Sequence, residues 1–294
     1  MKTAWAGLSP AARGAVWMTL AAASFAVLLI AIRILSAKFH TVEIVFFRAV
    51  FGLLLIVPVI ARSGLARLKT KRLPMHCVRT AFAFAAMLTF YFGLATVPVA
   101  DAMALTFVIP IFTTIAAAVI LGERVNAPRW AAVAAGFAGA LIIIRPGLVE
   151  ITPPMMMVVV SSVFYAGAWT SVKFLTRTEP ASVIVFYMNV MMVPATLVPS
   201  LFVWVGPAWS DAPALVVLGM CGWAAHFCQA RAFGEADASV VAPFDFLRLP
   251  FGAALAWVWL GEPTGPWTWL GAVVIFAATY FITRRESRAA RRQR

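Results

Sequence analysis

"LGERVNAPRW" occupies residues 121–130 and "LGEPTGPWTW" residues 260–269. The Leu-Gly-Glu triplet recurs after 139 residues, each time at the end of an apolar run and ahead of a proline and a tryptophan. Other echoes keep nearly the same step. "IVFFRAV" from Ile44 returns as "IVFYMNV" from Ile184, Arg33 as Lys173 and Arg145 as Arg284, at offsets of 140, 140 and 139. The chain reads as one unit written twice, over residues 1–148 and 149–294. In each triplet the glycine suits the first residue past a helix, where the backbone turns left-handed. Pro128 and Pro266 suit the first turn of the next helix. That structural role explains the triplet without assigning chemistry to Glu123 or Glu262.

The solvent of this unit is lipid. Hydrophobic residues make up 63% of the 294 and charged residues 12%, against roughly 45–50% and about 25% in soluble domains. A bilayer core about 30 Å thick needs roughly 20 helical residues. Ten runs qualify: 13–35, 42–61, 74–96, 99–121, 128–145, 154–174, 181–205, 213–233, 238–260 and 266–283. Turn residues such as Gly64, Pro98, Pro146-Gly147, Pro180 and Gly206-Pro207 punctuate them. The basic start and the apolar stretch Ala15 to Ile32 also fit a signal peptide. Nine further runs favour an uncleaved first span.

The formal net charge is +13, which raises nucleic acid as a partner. The position of the charge excludes it. Eleven of the 24 Lys and Arg residues lie at Arg62 to Arg72 and Arg284 to Arg294, beside apolar runs, as cytoplasmic anchors do. With the N-terminus inside, the inner segments carry 18 Lys and Arg. The outer ones carry three, Arg33, Lys38 and Arg145. The expected topology is therefore N-in and C-in, in a bacterial inner membrane. Tryptophans such as Trp17, Trp130, Trp204, Trp209, Trp257 and Trp267 sit near span ends, as an interfacial belt requires. Five spans per unit is an odd number, so the second unit enters the membrane from the opposite side. The expected fold is an all-α membrane protein of ten transmembrane helices in two inverted five-helix repeats around a central cavity. Such repeats permit two mirror-related conformations of similar energy, which is the logic of alternating access.

Ten spans in a five-plus-five duplication and a short basic joint after the second span form a recognisable pattern. With them come a P-x10-LGE ending in the fourth span (Pro110 to Leu121) and P-x9-LGE in the ninth (Pro250 to Leu260). Together these resemble the drug/metabolite transporter superfamily in its EamA-type exporter branch. Size and aromatic content are similar to those of bacterial aromatic or broad-range amino-acid exporters. The resemblance implies a cavity lined by spans 1–4 and 6–9, with spans 5 and 10 peripheral. It implies a secondary transporter that exports small organic solutes, above all amino acids. Export of other metabolites or drugs, or a channel-like facilitator, are the alternatives. Homodimerisation is left open. Span 5 carries a small-residue ladder, Ala131, Ala135 and Gly139, that lets helices pack closely.

Charge inside a span is the sharpest functional signal, because it costs at least about 2.5–3.5 kcal/mol to insert. Asp245 and Arg248 stand three apart in span 9, flanked by Pro243 and Pro250, and can pair or meet a zwitterionic solute. Arg48 in span 2 is read as a carboxylate ligand or as the partner of Glu43 or Asp101. Arg79 is read as snorkelling to the cytoplasmic edge. Stripes mixing aromatic and hydrogen-bonding groups run along span 3 (Thr80, Phe84, Met87, Tyr91), span 6 (Ser161, Tyr165, Trp169) and span 8 (Trp223, His226, Gln229, Phe233). Helix packing explains each aromatic as readily as a cavity does. The candidate substrate-binding residues are Arg48, Tyr91, Tyr165, Trp169, Trp223, His226, Asp245 and Arg248.

Enzyme chemistry finds no footing. GxxxxGK[ST], HExxH and GxSxG are all missing, and the three histidines lie 36 and 150 residues apart. No metal site, catalytic residue or cofactor is expected. Cys77, Cys221 and Cys228 lie in apolar runs without a CxxC and read as buried small residues. The partners are a small-molecule substrate, an amino acid or related metabolite, and the lipid bilayer.

Overall fold

The protein, a computed structural model, is described over residues 8–63, 68–109, 111–112, 115, 127–145, 150–236, 241 and 244–292. The triplet at Leu121 and the prolines Pro110 and Pro243 lie outside the described residues. Every regular element among these residues is helical.

In chain order the helices are α1 (Pro10–Leu35), α2 (Thr41–Ser63), α3 (Leu73–Leu94) and α4 (Val99–Leu105), then a 3-10 turn over Thr106–Val108 and α5 (Ala127–Ile144). The second half holds α6 (Pro153–Leu175), α7 (Ala181–Leu201), α8 (Ala212–Glu235), α9 (Arg248–Leu260) and α10 (Pro266–Arg292). Both halves open with a hydroxyl cap and a proline. Ser9 Oγ accepts from Ala12 N–H at 3.2 Å ahead of Pro10, and Thr152 Oγ1 accepts from Met155 N–H at 3.4 Å ahead of Pro153. Such caps satisfy amides that the helix leaves free.

Among the described residues six helices are long and apolar enough to cross a membrane: α1, α2, α3, α6, α7 and α8. Val99–Val108, Val133–Ile144 and Pro266–Ala278 are shorter apolar stretches. Span 9, expected from residue 238, is a continuous helix only from Arg248. Pro250 has no N–H to offer the Phe246 carbonyl, which accepts from Leu249 N–H at 3.1 Å instead. Span 10 was expected to end at 283, but α10 carries its helix through the basic tail to Arg292.

The helices pack as antiparallel partners drawn from opposite halves: α1 with α8, α3 with α6, α2 with α7, α4 with α9 and α5 with α10. The directions follow from which ends meet. Arg13 at the start of α1 pairs with Glu235 at the end of α8 at 3.0 Å. Glu43 at the start of α2 accepts from Val205 N–H beyond α7 at 2.6 Å, and Tyr187 near the start of α7 donates to Leu68 O beyond α2 at 2.6 Å. Gly93 near the end of α3 faces Pro154 at the start of α6. One end of the bundle therefore gathers Arg33, Glu43, Leu94 and Glu262, and the other gathers Arg13, Lys173 and Glu235.

The ladder of span 5 is used only in part. Ala131 and Ala135 are exposed, whereas Gly139 is buried against α10. A Cβ on Gly139 would stand 2.9 Å from Gly271 O and 2.6 Å from Ile275 Cγ1. The backbones approach so closely that only glycine fits. Gly139→Ala is expected to lower the thermal stability of the purified protein by about 1–3 kcal/mol, the range for overpacking. Gly206→Ala, at a site with nothing within 4 Å, should leave the melting curve in place.

Candidate functional site

Two helix breaks face each other across the bundle and open a polar point in its middle. One break is the 3-10 turn at Thr106 that follows α4, and the other is the irregular turn between Phe244 and Arg248 that leads into α9. Arg248 crosses the gap. Its Nη2 donates to Thr106 Oγ1 at 2.8 Å and lies 3.5 Å from Asp245 Oδ2. Its guanidinium also sits 4.9 Å from the centroid of Phe107. Both charged residues are at most 7% exposed. Burial of this kind is tolerable only when the charges are paired and hydrogen-bonded.

Beside this point lies a cavity with about 50 Å³ of free space, room for a few waters. α1 contributes Phe25, Leu28 and Leu29. α3 contributes Arg79, Ala83, Met87, Phe90 and Tyr91. α6 contributes Tyr165, Ala168, Trp169 and Val172, and α8 contributes His226 and Gln229. Thr106, Ile109 and Arg248 complete the lining. Both halves of the chain build it. From Arg79 to Tyr91 the cavity follows α3 for about 18 Å at the rise of an α-helix. One end is aromatic, where Phe90 meets Tyr165 edge to face at 6.0 Å between ring centroids. The other end holds Arg79 and Gln229.

Of the eight residues singled out from the sequence, Tyr91, Tyr165, Trp169, His226 and Arg248 line this cavity. Asp245 stands behind Arg248 as its ion partner. Arg48 is 1% exposed and sits behind the wall, its Nη2 directed at Met87 Sδ at 3.1 Å. It pairs with neither acid expected of it. Glu43 is taken by the amides of His40 and Val205, and Asp101 by Thr268. Trp223 stacks on Phe227 at 5.2 Å and is not among the lining residues. Steps of three along a helix rotate by roughly −60° each, so the stripe through Trp223, His226 and Gln229 drifts off one face. Phe233, at its end, packs on Trp169 at 6.3 Å.

Sequence reasoning missed Arg79. It is 4% exposed and faces the cavity instead of snorkelling to the membrane edge. Its spacing could have revealed this, since Arg79, Ala83 and Met87 follow one another in steps of four along α3.

The Glu262 end is held by the second triplet. Gly261 adopts φ 66° and lets the chain leave α9. Its N–H and that of Glu262 return to the carbonyls of Trp257 and Ala256, both at 3.2 Å. Glu262 then reaches across the bundle. Oε1 accepts from Arg33 Nη2 at 2.9 Å, and Oε2 accepts from Val99 N–H, the first amide of α4, at 2.9 Å. Arg33 also donates to Leu94 O at 2.9 Å, at the end of α3. Its sequence echo Lys173 donates to Phe233 O at 3.4 Å, near the end of α8. Leu94 and Phe233 are again 139 apart, so the echoed cations do equivalent work.

The EamA-like transporter family matches the chain twice, over residues 12–145 and 152–284. A riboflavin transporter of Rhizobium johnstonii is 32% identical over 97% of this chain and 95% of its own. An S-adenosylmethionine uptake transporter of Rickettsia prowazekii is 28% identical over 94% of each. A pseudopaline exporter of Pseudomonas aeruginosa is 29% identical over 92% of this chain and 96% of its own. A solved crystal structure shares the fold, with a TM-score of 0.69 at 14% identity over 94% of this chain and 98% of that one. With six apolar helices long enough to span and relatives that are bacterial transporters, this is a multi-pass protein of the inner membrane.

The tie at Glu262 is testable by a double-mutant cycle. Glu262→Ala is expected to cost about 1–3 kcal/mol of stability, since it strands Arg33 and an amide. The double variant with Arg33→Ala should lose less than the sum of the singles. Both are readable in thermal unfolding of the purified protein.

Proposed function

The chain belongs to the EamA-like transporter family, and from that premise we propose that it is a secondary transporter carrying a flat aromatic metabolite across the membrane by alternating access. At the coarser level it is a transporter of small metabolites. One observation carries the finer reading. A narrow cavity walled by Phe25, Phe90, Tyr91, Tyr165, Trp169 and His226 lies between helices of both halves. Rings offer flat apolar faces to a ring-shaped solute. The riboflavin transporters of Rhizobium johnstonii, Brucella anthropi and Vibrio cholerae, at 29–32% identity, lend it a substrate class.

Aromatic or broad-range amino acids remain the second reading, supported by the same rings and by Arg248 as a carboxylate ligand. Their ammonium group is less well served, because Asp245 is already the partner of Arg248. In the proposed assignment Tyr91, Tyr165, Trp169, His226 and Arg248 touch the solute. Arg48 supports the wall through Met87, Asp245 supports Arg248, and Trp223 stands outside the lining.

The proposed scaffold is ten membrane crossings in two units, 1–148 and 149–294, laid in opposite directions with both termini cytoplasmic. The antiparallel packing of sequence-equivalent helices supports it, α2 on α7 and α5 on α10. With only about 50 Å³ free, this conformation is contracted, and entry of a solute requires helices to part. The direction of net flux follows the gradient. Export, expected from the family resemblance, has a precedent in the pseudopaline exporter, and import in the S-adenosylmethionine uptake transporters.

Counterflow in proteoliposomes tests this. Preloaded riboflavin should accelerate uptake of labelled riboflavin, and Trp169→Ala or Tyr165→Ala should cut the rate about tenfold or more, a loss of about 1.4 kcal/mol, in protein that still elutes as a folded monodisperse species. Trans-stimulation by aromatic amino acids alone would select the second reading. Saturable exchange of neither class would contradict both, and flux without trans-stimulation would mark a channel.

A further inference from the structure

The polar end of the cavity has a chemical sign. Four buried polar atoms of lining residues make no hydrogen bond among the described residues: Arg79 Nε and Nη1, Gln229 Nε2 and Arg248 Nε. All four are N–H donors. Arg79 is 4% exposed and Gln229 3%, so bulk water does not serve them. No carboxylate of the described residues forms an ion pair with Arg79. The charge of Arg48, which acts on it, is of the same sign. Asp245 offsets only Arg248. A guanidinium inside a bundle without an ion partner is costly to keep, and a structure that keeps one, with a second free donor on the same lining, is built to receive an acceptor.

We infer that Arg79 and Gln229 form an anion subsite, so that the transported solute carries an acidic oxygen group, a carboxylate or a phosphate monoester, on an aromatic body. The inference rests on the aromatic-solute reading above and adds the charge of the substrate. The guanidinium fork of Arg79 matches the two oxygens of such a group. The aromatic rings of Tyr91 and Tyr165 lie further along the same cavity and take the body. Among the described residues the lining holds no carboxylate for a free cationic end to meet. That separates this cavity from one suited to sulfonium or ammonium compounds.

Paired probes in purified protein decide the matter without requiring transport. Riboflavin 5′-phosphate is set against riboflavin, and indole-3-propionate against indole-3-propanol, with inorganic phosphate as the control, and affinity is read from ligand-induced thermal shifts. Each anion should bind about tenfold or more tighter than its neutral twin. Arg79→Gln should abolish that preference while neutral twins shift less than about twofold, and Arg79→Lys should keep part of it. Gln229→Leu provides a second variant should Arg79→Gln fail to fold, and it should weaken the anions alone. Equal affinity of the twins in the unmodified protein overturns the inference, as does an equal loss for both in Arg79→Gln. So does stabilisation by inorganic phosphate as strong as by the aryl anions, or no binding of any anion. Counterflow with labelled riboflavin separates the two levels. Exchange of the neutral flavin without an anion preference sinks the subsite and leaves the transporter reading standing. Anion binding without exchange does the reverse.

Discussion

Everything in this molecule depends on helices from one half meeting their partners from the other half head to tail. In lipid a backbone must satisfy itself, so the chain has little choice but helix. The hydrophobic effect then no longer drives helices together, and close approach and polar ties decide which faces pair. Gly139 on Gly271, Gly93 on Pro154 and the Glu43 contact to Val205 are such ties. They leave a space between α1, α3, α6 and α8 that no residue fills completely, and that space is the cavity.

The same economy governs the breaks in α4 and α9. A proline in a helix removes a hydrogen bond and frees a carbonyl. Near Pro250 that loss is absorbed by a tighter turn, and the turn sets Arg248 against Thr106 instead of leaving it along a smooth helix face. The fold and the cavity share residues here. The arginine that closes the gap between two broken helices also presents an unsatisfied Nε at the lining. At the Glu262 end the glutamate of the repeated triplet joins α9 to α1 and α4. One short sequence thus ends a helix, turns the chain and bolts three helices.

The duplicated unit, the helical class and the membrane setting were legible in the amino-acid sequence because each rests on local pattern: composition, run length and exact recurrence. The glycine of the second triplet was readable for the same reason, since positive φ after a helix is a local demand. The site was less legible. Tyr165 and Trp169 both reach the cavity lining because a spacing of four keeps one helix face, and Trp223 falls outside the lining because spacings of three rotate away from it. Arg48 and Arg79 exchange the places expected of them, since Arg79 lines the cavity and Arg48 sits behind its wall. Depth along a span says how costly a charge is, but only packing says whether it faces a wall or a hollow. No sequence rule foretold that Glu43 and Asp101 would be occupied by amides and a hydroxyl.

The most direct measurement is side-specific labelling of single cysteines, introduced into a cysteine-free background at Ser9, Glu179, Ser210 and Ser287 in oriented membranes. The account predicts that a membrane-impermeant maleimide reaches positions 9, 179 and 287 from one side of the membrane and position 210 from the other. Labelling of positions 9 and 287 from opposite sides would mean that the two halves run the same way, and the account would be contradicted.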